Sequence, residues 1–148
     1  EINLRKARNN DIDRIMEIET EQFLHPWKRS AFVNELTHDI AWFYVAETTR
    51  PGTGKTIVGY IVFWVFGDTM ELHNIAVAGN QKRKGIGKHL YDFMMETGKK
   101  ENVEETFLEV RQSNAEAIAF YLKMGFEQVG IRKDYYSEPK ENALIFKK

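Results

Sequence analysis

The segment "NIAVAGNQKRKGIGKHLYDFM", Asn74 to Met94, runs from an apolar, strand-like piece through three consecutive basic residues and two glycines into a helical pattern. Lys82, Arg83 and Lys84 stand directly before Gly85-Ile86-Gly87, so positive charge is concentrated where a helix is about to begin. The first N–H groups of a helix have no intrahelical acceptor, and the helix dipole adds partial positive charge there. Glycines at 85 and 87 let the backbone approach a ligand and adopt dihedrals that other residues resist. With Lys88 one residue further on, the segment predicts a cradle for a diphosphate. The blander alternative is a solvated basic turn that caps a helix.

Two common phosphate-binding patterns do not fit. A Walker loop would need glycine at 82 and Ser or Thr at 89, where Lys82 and His89 stand. A dinucleotide fingerprint would need a third glycine at 90, which is Leu90. A second candidate, "GTGKT" from Gly52 to Thr56, has Thr49 at the first glycine position and is followed by a strand pattern. It reads as a hairpin loop. The remaining pattern is an acyl-carrier loop, Gln/Arg-x-x-Gly-x-Gly/Ala after a strand. "KRKGIG" resembles it, with Lys82 in the Gln/Arg position.

The rest of the chain bounds the setting. Its 148 residues fit one domain, 1–148, with a single sizeable core. A net charge of -1 gives no global pull toward nucleic acid or an acidic membrane, so an anion site has to be built locally. With no cysteine, disulfides and thiolate metal sites are excluded. The longest apolar run, Ile61 to Phe66, is too short to span a bilayer, and the charged N-terminal residues lack an apolar signal core. The expectation is a soluble, cytoplasmic protein without nucleic-acid or membrane partners. His25, His38 and His89 have no ligand-like spacing, and no metal is expected.

Hydrophobic periodicity gives the element order β-α-α-β-β-β-α-β-α-β-β. A strand covers 2–7. A helix starts at Asn10-Asp11 with Ile12, Ile15 and Met16 inward. A second helix covers Ser30 to Thr37 with Phe32, Val33 and Leu36 inward. Strands follow at Ile40–Glu47, Thr56–Phe66 and Thr69–Val77, then a helix from Ile86 to Lys100 and a strand from Thr106 to Val110. "SNAEAIAFYLKMG" reads as a helix with a Ser113–Glu116 capping box and Gly125 as left-handed cap. Strands at Phe126–Lys133 and Ala143–Lys147 complete the chain. Hairpin strands followed by β-α-β imply an α/β (α+β) fold: a mixed sheet with helices on both faces.

Taken together, "NIAV", "KRKGIGKHL", "LEVRQSNAEAIAFYLKMGF", "IRKDYY" and "PWKRSAF" resemble the GCN5-related N-acetyltransferase (GNAT) family over most of the chain. Within it the likeness is greatest to ribosomal-protein alanine N-acetyltransferases and archaeal N-terminal acetyltransferases. The resemblance implies a central sheet splayed at a bulge, with acetyl-CoA as cosubstrate. Ile75, Ala76 and Val77 would line the pantetheine arm, and Lys82, Arg83, Lys84, Gly85, Ile86, Gly87 and Lys88 would hold the pyrophosphate. Asn114 would reach the pantetheine or phosphate region. Glu109 matches the position of the base that deprotonates the amine, and Tyr121 that of the acid that protonates the sulfur. Trp27, with Phe23 and Pro26, and Tyr135 and Tyr136 would form two walls of a peptide groove. Glu71 and His73 lie two apart on the strand before the bulge, hence on one face, where either could assist the base through a water, and Glu71 would also meet the substrate. The acceptor implied is a protein N-terminus or peptide, such as a ribosomal protein's. The alternative is a small amine: a polyamine, amino acid or antibiotic.

Overall fold

The computed structural model describes residues 1–148. Its elements are β1 (Ile2–Lys6), α1 (Ile12–Gln22), α2 (Arg29–Leu36), β2 (Ala41–Arg50), β3 (Gly54–Phe66), β4 (Thr69–Val77), α3 (Ile86–Lys100), β5 (Glu105–Arg111), α4 (Ala115–Lys123), β6 (Glu127–Ser137) and β7 (Lys140–Lys147). This is the order expected from the periodicity, with two short 3-10 turns added at Asn9–Asp11 and Gly79–Gln81. The seven strands form one sheet in the order β1-β2-β3-β4-β5-β7-β6. Every neighbouring pair is antiparallel except β4 and β5, which run parallel.

Each face of the sheet carries its own apolar cluster. Ile12, Ile15 and Ile18 of α1 and Phe32 of α2 pack with Phe43, Val45, Tyr60, Val62 and Ala76 on one face. Ile86, Leu90 and Met94 of α3 and Tyr121 of α4 pack with Ile61, Phe63, Met70, Leu72, Leu108 and Phe146 on the other. Such burial of large aliphatic and aromatic side chains, at roughly 1.5–3 kcal/mol each, is what holds the helices to the sheet.

Two irregularities shape the middle of the sheet. In the β3–β4 ladder Phe63 pairs with Leu72 but Val62 pairs with Asn74, which leaves His73 as an extra, bulged residue. Before the bulge Met70 and Leu72 face α3. After it the alternation is reset, with Asn74 and Ala76 toward α1 and Ile75 and Val77 toward α3. The second irregularity is a parting of strands. β4 pairs with β5 only from Thr69–Glu105 to Leu72–Leu108, although β4 continues to Val77 and β5 to Arg111. Beyond Leu72, the β5-facing edge of β4 is an open row of backbone groups in mid-sheet. This is the splayed, bulged sheet that the resemblance implies.

Some local expectations are corrected. Val33 is 39% exposed; only Phe32 of α2 is fully buried. The loop between β2 and β3 is short, because both strands extend into the segment that looked like a long hairpin loop. The Ser113–Glu116 capping box does not form. Asn114 caps α4 by accepting from Ala117 N–H at 3.1 Å, while Ser113 N–H donates to Glu141 and Glu116 turns to Lys82. At the other end of α4, Gly125 has φ +95°, and the N–H groups of Gly125 and Phe126 donate to Leu122 and Tyr121 carbonyls as the left-handed cap requires.

Candidate active site

The basic-glycine turn follows β4 directly and enters α3. None of the backbone N–H groups from Lys82 to Lys88 donates to another group of the protein. Arg83 has φ 66° and Gly85 φ 79°, so two left-handed residues flank Lys84 and fold the turn tightly. A left-handed arginine costs about 1–2 kcal/mol, and strain of this kind is concentrated at ligand sites. A Cβ at Gly85 would meet nothing within 4 Å, and one at Gly87 would meet only Val77 Cγ2 at 3.7 Å. The cations are nearly free. Lys82 lies 3.4 Å from Glu116, Lys88 2.7 Å from Asp92 and Lys84 3.4 Å from Gln81, while Arg83 has no partner. Exposed pairs like these are worth about 0–1 kcal/mol and are readily exchanged for a ligand's charge. Unpaired donors, open space and loose positive charge together fit a diphosphate.

Asn114 stands at the start of α4, near this turn through the Lys82–Glu116 contact. Its Oδ1 accepts in the helix cap, and its amide N–H2 can donate to a ligand.

The two groups expected to move protons lie on opposite faces of the sheet. Glu109 points away from Leu108 and Val110, which belong to the α3–α4 core. It therefore shares the α1–α2 face with Glu71 and His73. Its Oε2 is 2.7 Å from Nε of Arg132 on β6. Tyr121 belongs to the other face, between Phe120 and Phe126 at centroid separations of 5.4 and 5.8 Å. Burial, with a smaller effect from Tyr91, holds its phenol above the ordinary range, so it keeps its proton at neutral pH. No hydrogen bond contributes to that shift. The pairing of β4 with β5 ends at Leu108, one residue before Glu109.

On the α1–α2 face, His73 lies at the bulge itself, one step beyond where the sequence placed it. Its ring packs on Trp64 at 4.1 Å, and Trp64 in turn stacks on His38 at 4.6 Å and donates to Glu35 at 2.6 Å. His73 Nε2 is 3.2 Å from Glu71 Oε1, yet off the hydrogen-bonding direction. Burial pulls the imidazole below its ordinary range, and the charges of Glu71, Glu35 and Glu109 oppose that pull. Three carboxylates from α2, β4 and β5 thus surround one histidine. No acidic run in the sequence announces them.

The aromatic residues expected to line a peptide groove come from two separate parts of the chain. Trp27 lies in the α1–α2 connection, packed on Phe32 at 5.0 Å. Tyr135 is half exposed on β6. Tyr136 lies under the Arg111 guanidinium, 4.1 Å from the ring centroid, and its phenol is pushed up to about 12, mainly by burial and then by the Glu109 charge. Arg111 also pairs with Glu141 at 3.2 Å and donates to the carbonyls of Glu138 and Pro139, which ties the β6–β7 hairpin to the end of β5. Arg132, Arg111, Glu35 and Trp64 were not identified from the sequence. For Arg132 the one available signal was its proximity to the Tyr135-Tyr136 pair.

The acetyltransferase (GNAT) family model matches residues 12–126. An N-alpha-acetyltransferase of Saccharolobus solfataricus is 34% identical over 155 residues, covering 96% of this chain and 90% of the relative. The [ribosomal protein bS18]-alanine N-acetyltransferase of Escherichia coli K12 is 31% identical over 137 residues, covering 91% of this chain and 88% of the relative. The crystal structure of the ribosomal-protein-S18-alanine N-acetyltransferase from Escherichia coli superposes with a TM-score of 0.83 at 28% identity, over 99% of this chain and 92% of that one. The parted strands, the amide-rich turn and these likenesses agree: the chain belongs to the acetyltransferase (GNAT) family.

Proposed function

We propose that the protein is an Nα-acetyltransferase that moves the acetyl group of acetyl-CoA to the α-amine of a protein N-terminus, such as that of a ribosomal protein. Transfer is by direct attack in a ternary complex. The observation that carries this reading is that Glu109 and Tyr121 lie on opposite faces of a sheet whose strands β4 and β5 part next to Glu109, with the amide-rich turn at the end of β4. The kinship with enzymes named for Nα and alanine acetylation supports the choice of acceptor.

The turn Lys82–Lys88 holds the diphosphate through its N–H groups and cations, and the amide of Asn114 adds a donor. The open edge of β4 at Ile75, Ala76 and Val77 takes the pantetheine arm as an added strand would be taken. A backbone N–H on that edge faces the thioester oxygen as negative charge grows on it. An α-amine has a pKa of about 7.7–8.0, so at neutral pH it must give up a proton before it can attack. Glu109 accepts that proton, directly or through a water. Tyr121 gives its proton to the departing sulfur. No side chain acts as a nucleophile.

Trp27 on one side and Tyr135 and Tyr136 on the other form apolar walls for the first residues of a peptide, with Glu71 at the base of the groove. Neither nucleic acid nor membrane takes part, and the cytoplasm is the proposed setting; no helix is long and apolar enough to cross a membrane. A small polyamine is the second reading, favoured by the gathering of Glu35, Glu71 and Glu109 around His73. An acetyl-transfer assay over short peptides with varied first residues, run beside spermidine and free amino acids, separates the two. Faster transfer to peptides is expected. Faster transfer to spermidine would replace the first reading by the second.

A further inference from the structure

Glu19 lies on the inner side of α1 and is only 1% exposed. A carboxylate so far from water is costly unless donors surround it. Three do. Tyr60 Oη donates to Oε1 at 2.6 Å and Asn74 Nδ2 donates to the same oxygen at 2.9 Å, while the backbone N–H of Trp27 donates to Oε2 at 2.9 Å. No cation takes part. An ionised carboxylate only accepts, and hydrogen bonds to it are roughly twice as strong as neutral ones.

The three donors come from parts of the site that are far apart in sequence. Asn74 follows the bulge, and its backbone leads into Ile75, where β4 has left β5. Trp27 lies in the α1–α2 connection, outside any helix or strand. Tyr60 anchors the network to the centre of β3. One oxygen of Glu19 therefore holds the strand edge assigned to the acyl carrier, and the other holds the wall assigned to the acceptor. Ile12, Ile15 and Ile18 fill the same helix face with apolar side chains, so the packing of α1 does not by itself call for a charge at this position.

We propose that Glu19 is a positioning residue that fixes the spacing between the acceptor wall at Trp27 and the carrier strand at Asn74–Val77; this rests on the acetyl-transfer reading above. A carboxamide of the same size offers one acceptor and one donor. With its N–H2 toward Trp27 it meets a backbone N–H that can only donate; with its N–H2 toward Tyr60 and Asn74 it removes the acceptor both now use, so the Tyr60 hydroxyl has to accept and the Asn74 amide has to turn over.

The test is Glu19→Gln, measured by steady-state kinetics and by amide hydrogen exchange. The variant is expected to fold and to bind acetyl-CoA within about threefold of wild type, while kcat/KM for the acceptor falls about 10- to 100-fold. Exchange at Trp27 and at residues 74–77 is expected to accelerate together, with β7 unchanged. Adding Asn74→Asp supplies an acceptor for the new amide, and the double variant is expected to recover about fivefold over Glu19→Gln alone. Wild-type kinetics in folded Glu19→Gln would overturn the proposal. So would a loss that only follows the unfolded fraction, or exchange that changes at one of the two places alone. If Glu19→Gln fails to fold, Tyr60→Phe removes a single donor and is expected to give the same paired pattern at smaller size. If wild type acetylates no peptide, the acceptor assignment fails, and the paired exchange still decides the role of Glu19.

Discussion

Glu109 of β5 and Arg132 of β6 meet at 2.7 Å although strand β7 lies between them. Gly130 and Glu109 both pair with Ile145, so Arg132 stands two residues along β6 and reaches back across β7. The pair is partly open to water, with side chains 32% and 58% exposed. Such a pair holds a carboxylate in place but is weak enough, at about 0–1 kcal/mol, to yield to an incoming amine. Glu109→Gln is expected to lower kcat about 10²- to 10⁴-fold while acetyl-CoA affinity and thermal midpoint stay near wild type. Steady-state kinetics with calorimetric titration checks this, and unchanged turnover at neutral pH removes Glu109 as the base.

Tyr121 has a phenol raised by burial, with no hydrogen bond contributing, and a ring fixed among aromatics. Tyr121→Phe therefore removes the proposed proton donor and little else. Turnover is expected to drop about 10²-fold or more, with folding stability within roughly 1 kcal/mol of wild type. A variant that is slow only because it unfolds would contradict this, and denaturation alongside the kinetics separates the outcomes.

Stability is expected to fall in alkali. Burial, reinforced by the Glu19 charge, holds the Tyr60 phenol well above the ordinary range; burial does the same to Tyr121, and Tyr136 is pushed up to about 12. An unfolded phenol ionises near pH 10. Below that pH both states keep these protons and the groups add no slope. Above it the unfolded chain releases protons that the folded chain retains, so stability is lost as pH rises toward the folded values. Urea unfolding between pH 9 and pH 11 is expected to steepen by about 1.4 kcal/mol per pH unit for each such tyrosine, and Tyr60→Phe removes one share of that slope.

The strained turn gives a prediction with opposite signs for stability and binding. Arg83 holds φ 66° and has no partner in the protein. Arg83→Gly relieves the left-handed strain and is expected to raise stability by up to about 1 kcal/mol, while weakening acetyl-CoA through the lost cation. Gly85→Ala introduces the same strain where φ is 79° and is expected to cost about 1 kcal/mol and to weaken binding as well. Thermal unfolding and acetyl-CoA titration of both variants check the pair.

What the sequence made legible was local. β4 and α3 have the bounds that the hydrophobic pattern gives them, because a strand that ends in a basic, glycine-rich turn admits few alternatives. Gly125 marks its cap because few residues other than glycine take φ +95°. The parted sheet and its bulge came from the family resemblance, since nothing in "ELHNIAV" tells a bulged strand from a regular one. What escaped was long-range. Arg132 reaches Glu109 across a strand, and Glu35, Glu71 and Glu109 come from three elements. Glu19 did leave a signal. It falls seven residues after Ile12 and four after Ile15, on the apolar stripe of α1, where a carboxylate has to find donors. Asn114 and not Ser113 caps α4, and Glu141 takes the Ser113 N–H that Glu116 would have accepted in a capping box.

The central claim is that the free amides of the turn grip the diphosphate while the open edge of β4 takes the arm that carries the thioester. Amide chemical shifts of labelled protein, titrated with acetyl-CoA, test both halves at once. The account predicts that the largest changes fall at Lys82–Lys88 and at Ile75–Val77, saturating together. Tight binding that leaves those amides unmoved, with the changes elsewhere on the sheet, would contradict it.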